Sequence, residues 1–160
     1  MPAKIAADTI GMLLTDVSRL LRGAFDRRIN VSQLGLTPGE ARALIQVAAT
    51  EGIKQTDIAL RMGIEPMTLS VYLDRLESLG LVARVPDAND RRAKNVVVTE
   101  RADALLVDLR SEMRALMDSV TQGLDTAARE ALRANLLILR DNLQQADRGR
   151  DVAGDGRSHG

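Results

Sequence analysis

Between Gln55 and Thr99 a pair of helical repeats gives way to strand-like alternation, and few small folds accommodate that succession. Ile58, Ala59 and Met62 give a short helix one inner face, Gly63 permits a sharp turn, and Ile64 returns to the core. Glu65-Pro66 opens a second helix, with proline in a first turn that needs no N–H from it. Its apolar positions, Leu69, Tyr72, Leu73 and Leu76, fall at i, i+3, i+4 and i+7, and Leu79-Gly80 end it. Small Ala59 lets the two helices approach. The pattern then becomes β-branched. Leu81–Val85 reads as a strand, Pro86–Asp90 as a turn cluster, Arg91-Arg92-Ala93-Lys94 as a basic tip, and Asn95–Thr99 as a second strand. Two helices joined by a tight Gly-containing turn make a helix-turn-helix, and a hairpin with a charged tip after it makes a winged helix.

The flanking segments are helical. Ile10, Leu13, Leu14, Val17, Leu20, Leu21, Ala24 and Phe25 form one apolar stripe, which predicts a helix from about Ala3 to Ile29. At ~1.5 Å per residue it would run about 40 Å. Such length suits a scaffold or dimer element; the alternative is a core helix of a monomeric bundle. Thr37-Pro38-Gly39-Glu40 is a capping box, and its helix runs through Ala41, Leu44, Ile45, Val47 and Ala48 until Gly52. Ile53 suits a very short strand. A further helix is predicted over about Glu100–Gln122, with Leu105, Leu109, Met113, Leu116, Met117 and Val120 inward and Gly123 and Asp125 as punctuation. The last spans about Ala127–Ala146, where Leu132, Leu136, Leu139 and Leu143 form a seam of the helix-pairing kind. From Arg148 onward Gly, Asp, Arg and Ser dominate, which predicts a disordered tail over 148–160.

Composition narrows the chemistry. The chain lacks cysteine, so disulfides, thiolate catalysis and Cys-ligated zinc are excluded. Its one histidine, His159, is penultimate, a position not expected to give an imidazole fixed neighbours. Phe25 and Tyr72 are the only aromatics, which disfavours stacking on single-stranded nucleic acid. No Gly-rich phosphate loop, metal constellation or Ser/His arrangement appears, so neither an enzyme, a metal nor a cofactor is expected. Charges interrupt every apolar stretch and Met1–Ala7 has no apolar signal region, so no membrane partner is expected and the location should be cytoplasmic. Acids and bases balance at 22 each, so any polyanion must meet a local cluster. One exists: Arg84–Lys94 holds four bases and two acids, a net of +2.

These segments resemble the MarR family of bacterial transcriptional regulators over roughly Ile5–Gln145. The likeness rests on Leu36-Thr37-Pro38-Gly39-Glu40, on the helix-turn-helix, and on the run from Leu73 through Val82. Most specific is Asp87-Ala88-Asn89-Asp90-Arg91-Arg92-Ala93-Lys94-Asn95-Val96-Val97-Val98-Thr99: Asp, any residue, Arg, then a strand ending in Thr. The resemblance implies a mainly α fold with a small β-wing. It implies a helical dimerisation region from 1–35 and 100–147, and a DNA-binding winged helix-turn-helix at 36–99. It further implies a homodimer that binds a pseudo-palindromic operator in double-stranded DNA, usually as a repressor, and often lets go when a small-molecule effector binds. The alternative function is a winged helix that docks a protein and no longer binds DNA. Two departures from the family stand out. Lys54 occupies a cap position where Ser or Thr is common, and Val71 stands where a long polar residue is common.

The second helix of the motif, with its leucines inward, shows Met67, Thr68, Ser70, Val71, Asp74 and Arg75 to a major groove about 12 Å wide. Thr68 and Ser70 suit phosphate or base acceptors, and Val71 a thymine methyl. Arg75 either reaches phosphate or guanine, or pairs with Asp74, Glu77 or an acid of the wing. Gln55 and Thr56 begin the preceding helix, whose free N–H groups favour phosphate. Arg84, Arg91, Arg92 and Lys94 complete the expected DNA-binding set. Among them Arg92 is expected to be held by Asp87 or Asp90 and to shape the loop, while Arg91 and Lys94 meet phosphate or the minor groove. Dimerisation is expected through Ile10, Leu13, Leu14, Val17, Leu132, Leu136, Leu139 and Leu143. An effector pocket would lie between the winged helix and the dimer helices, with Ile10, Leu13, Val17, Leu44 and Met113 as candidate walls.

Overall fold

Helix boundaries follow nameable side-chain chemistry in the computed structural model, which describes residues 6–154. Helix α1 spans Ile10–Ser32 rather than starting near Ala3, because the Thr9 hydroxyl accepts the Met12 N–H at 3.4 Å and fixes the cap there. Residues 3–5 of the expected helix lie outside the described residues. The helix outlasts Ile29 to Ser32, whose hydroxyl donates to the Ile29 carbonyl at 2.8 Å, and Gln33 turns left-handed after it. Helix α2 (Pro38–Ala49) begins on the expected reciprocal cap: Glu40 N–H donates to Thr37 Oγ1 at 3.3 Å, and Thr37 N–H to Glu40 Oε2 at 2.9 Å.

Strand β1 is only Ile53–Lys54, and α3 (Gln55–Met62) and α4 (Pro66–Ser78) follow. Strands β2 (Val82–Pro86) and β3 (Lys94–Val98) form the wing. The antiparallel sheet has the order β1-β3-β2, with Ile53 opposite Val96, Val82 opposite Val98 and Pro86 opposite Lys94. Pro86 closes an edge strand, where a missing N–H costs no ladder bond. The β-branched run is fully buried at Val82 and Val96, which pack with Leu44, Ile58, Leu69, Leu73 and Leu76 into one core.

The chain divides between Met117 and Asp118 into two compact units. In the first, α1 joins the winged helix only through its C-terminal half. Phe25 and Ile29 are buried, Arg28 pairs with Glu112 at 2.9 Å, and Asp26 pairs with Arg42 of α2. Upstream, Ile10, Leu13, Leu14, Val17 and Leu20 are exposed. A single 3-10 turn, Glu100–Ala102, precedes α5 (Asp103–Val120), which buries Leu106, Leu109 and Leu116. Met113, Met117 and Val120, expected inward, are exposed. Met113 and Met117 continue the buried stripe but border a cavity instead of filled core.

In the second unit, Asp125 caps α6 (Thr126–Gly154) by accepting the Ala128 N–H at 2.8 Å. Arg129 folds back onto the end of α5, donating to the Leu124 and Thr121 carbonyls at 3.1 and 3.3 Å and pairing with Asp118 at 3.5 Å. A guanidinium on terminal carbonyls satisfies acceptors that the helix cannot. Helix α6 outruns Ala146 and is continuous to Gly154, so the expected disordered tail is helical over 148–154. Extending an existing helix adds one hydrogen bond per residue fixed, and no proline intervenes. Residues 155–160 of that tail lie outside the described residues. Among the described residues no helix is long and apolar enough to cross a membrane.

Candidate nucleic-acid interface

Gly63 sets the geometry of the helix pair. It is left-handed at φ 63°, and its N–H and that of Ile64 donate to the Leu60 and Ala59 carbonyls, each at 3.1 Å. That motif satisfies the orphan carbonyls of α3 while turning the chain into α4. Leu69, Leu73 and Leu76 bury one side of α4. Tyr72 packs so tightly on α2 that a Cβ at Gly39 would lie 2.4 Å from its ring, which explains the glycine inside a capping box.

The opposite face of α4 is the predicted one. Met67, Thr68, Val71, Asp74 and Arg75 are exposed and Ser70 is half-buried. At the start of α3, Thr56 is exposed and Gln55 half-buried. Lys54, before it, makes no side-chain cap, as its chemistry implies.

Arg84 departs from expectation. The sequence groups it with the DNA-contacting cations, but its side chain is only 15% exposed. Its Nη1 pairs with Asp74 Oδ1 at 2.6 Å, its Nη2 donates to the Ser70 carbonyl at 3.1 Å, and its backbone N–H donates to Glu77 Oε2 at 3.2 Å. Its Nε is buried without a hydrogen-bond partner among the described residues. Arg84 therefore bolts β2 to α4 and has little left to give a phosphate. Both nearby acids, Asp74 and Glu77, are engaged by Arg84, and Arg75 makes no ion pair among the described residues.

The wing tip is shaped by acids, though not through Arg92. Asp87 Oδ1 accepts the N–H groups of Asn89 (2.8 Å) and Asp90 (3.0 Å), and Asp90 Oδ1 accepts the backbone N–H of Arg92 (2.9 Å). Short acidic side chains thus fold the loop by capturing backbone donors. The expected pairing of the Arg92 guanidinium with Asp87 or Asp90 does not form; Asp90 Oδ1 holds the Arg92 backbone N–H instead. The Asn89 N–H is the largest influence holding the Asp87 carboxyl below its ordinary range, with Asn95, Asp90 and Lys54 assisting against desolvation. Arg91, Arg92 and Lys94 are all exposed and make no ion pair among the described residues. The sequence reading missed Lys54 as a fourth cation beside this wing. Only the pairing of Lys54 with Asn95 places it there, and no local motif announces it.

A separate cavity of about 290 Å³ opens in the first unit among α1, α2, α3 and α5. It is lined by apolar Leu21, Phe25, Ile45, Met62, Met113, Leu116 and Met117 together with Arg22, Arg42 and Arg61, of which Arg42 is paired with Asp26. Of the candidate walls named from sequence, Met113 lines it. Leu44 is fully buried in the core, and Ile10, Leu13 and Val17 do not line the cavity, although Ser18, next to Val17, does. Among the described residues no cluster of metal-ligating side chains occurs.

This geometry has close counterparts. A model described as MarR family matches residues 34–93. The transcriptional regulator PA3341 is 33% identical, over 86% of this chain and 99% of its own, with a TM-score of 0.71. A MarR-family transcriptional regulator from Silicibacter pomeroyi is 27% identical, over 88% and 96% of the two chains, with a TM-score of 0.72. CouR from Rhodococcus jostii RHA1, solved with p-coumaroyl-CoA bound, is 26% identical over 84% and 93%, with a TM-score of 0.67.

Proposed function

Since the chain belongs to the MarR family of winged helix-turn-helix transcriptional regulators, which are DNA-binding proteins and not enzymes, we propose that it binds a pseudo-palindromic operator in double-stranded DNA as a homodimer and represses transcription until a small-molecule effector binds. The observation that carries this reading is the exposed face of α4 beside a wing with a net positive charge, whose Arg91, Arg92 and Lys94 make no ion pair among the described residues. Met67, Thr68, Val71 and Arg75 would enter the major groove, with Ser70 at the margin of that face. Gln55 and Thr56 would approach phosphate at the start of α3, and Arg91, Arg92 and Lys94 would meet phosphate or the minor groove.

The dimer is supported by apolar faces that the single chain leaves bare. Ile10, Leu13, Leu14 and Val17 on α1 are exposed, and so are Leu132, Leu136, Leu139 and Leu143 on α6, which has no buried residue among those described. Surfaces of this kind mark protein–protein contacts. A two-fold axis would set two recognition helices roughly 34 Å apart, one turn of DNA. The cavity suits an anionic effector with an apolar body, since the Arg22 and Arg61 guanidiniums, thioethers and a phenyl ring line it. The p-coumaroyl-CoA bound to CouR belongs to that general class. The test is selection of bound fragments from genomic DNA by the purified protein, followed by mobility shifts over a salt series. Recovery of an inverted repeat bound with steep salt dependence is expected; absence of any selective shift at low salt would refute the reading. Thermal shifts with aryl and acyl carboxylates, then release of the shifted DNA, test the effector.

A further inference from the structure

Recognition helix α4 is unusual in what it offers a base edge. Met67 is 83% exposed and Val71 65%, the two most exposed large apolar side chains on that helix. They stand at i and i+4, so they share one face, and Met67 lies in the first turn, the part of a recognition helix that meets base edges. Two of the polar residues between and beyond them already bind Arg84: Asp74 through its carboxylate, and half-buried Ser70 through its backbone carbonyl, which receives Arg84 Nη2. The side-chain donors left on this face are the Thr68 hydroxyl, the Ser70 hydroxyl at its margin and the Arg75 guanidinium. In the major groove the one apolar feature of the bases is the thymine 5-methyl.

On the premise that α4 enters the major groove, we propose that Met67 and Val71 select the operator by packing on thymine 5-methyl groups, so that each half-site is read at these positions as methyl and not as a donor–acceptor pattern. An exposed thioether and an isopropyl group at this spacing gain nothing from phosphate or from a cytosine or guanine edge. Removing water from them against a methyl group is favourable.

The test uses the full chain and the duplex that it selects. Each thymine of a half-site is replaced in turn by deoxyuridine, which deletes the methyl and leaves the hydrogen-bond pattern intact, and Kd is read by fluorescence anisotropy. At the positions under Met67 and Val71, uracil is expected to weaken binding about fourfold per methyl, the ~0.8 kcal/mol of one buried carbon group at ~1.4 kcal/mol per tenfold. Val71→Ala should bind thymine and uracil duplexes with the same Kd at one of these positions, and Met67→Ala should do so at the other. Both residues are exposed, so the variants should keep the parent circular dichroism and Tm. Selective binding that is indifferent to uracil at every thymine overturns the methyl readout and leaves the DNA reading standing. Uracil penalties that persist unchanged in both alanine variants overturn the assignment to these two residues. Failure to bind any duplex overturns the DNA reading itself.

Discussion

At the wing, single side chains divide into those that build the loop and those that are left over. Asp87 and Asp90 accept backbone N–H groups, and the Arg91, Arg92 and Lys94 side chains make no ion pair among the described residues. Arg91→Ala should therefore weaken operator binding and reduce the slope of log K against log salt by about 0.9, one phosphate contact, in a salt series read by anisotropy. The Asp87 carboxyl has a definite pH signature. Its folded-state pKa lies below the ordinary 3.8, so the order that it gives the loop is present above that value and lost as pH falls through the lower folded value. Amide shifts of Asn89 and Asp90 should follow one titration with a midpoint below 3.8, and Asp87→Asn should abolish it. The sequence pointed to a charged wing tip. It did not show which acid holds which donor, because an Asx-type turn and an ion pair draw on the same residues.

Among the elements, the helix pair and the hairpin are each locally specified, but the bolt between them is not. Gly63 holds a left-handed turn that an L side chain occupies at a cost, so Gly63→Ala should lower stability by about 1–2 kcal/mol in urea unfolding, with the hydrogen bonds to Leu60 and Ala59 as the structure at stake. Arg84→Met should keep the half-buried stem and remove the charge. Because its partner Asp74 is largely exposed, such a pair contributes at most about 1 kcal/mol to stability. The freed carboxylate would then face DNA phosphate, so affinity should fall several-fold while Tm changes little, as parallel binding and melting measurements would show. Alternation and spacing made β2, β3, α3 and α4 legible. The Arg84 contacts cross from strand to helix, and no spacing rule connects Arg84 with Ser70 and Asp74.

For the whole molecule, the proposed dimer is the decisive expectation. Leu136→Asp with Leu139→Asp places charge on a face of α6 that is already exposed in the single chain, so the fold should survive while self-association fails. Sedimentation should report monomers, and operator affinity should collapse because one winged helix then binds one half-site; a tight dimer of this variant would remove α6 from the interface. The apolar stripes of α1 and α6 were readable as periodicity, yet periodicity cannot say what covers a stripe. The α5 stripe shows why. Leu109 and Leu116 are buried, while Met113, between them in the chain and on the same side, borders the cavity. Local pattern alone determined the helices, the capped entry to α2, the glycine turn and the charged hairpin, since each depends on residues within a few positions of one another. Tertiary structure alone decided that Arg84 serves the fold, that Arg75 escapes its neighbouring acids, that Lys54 stands beside the wing, and that three arginines line one cavity. Those outcomes rest on distances between residues far apart in the chain, which neither composition nor spacing encodes.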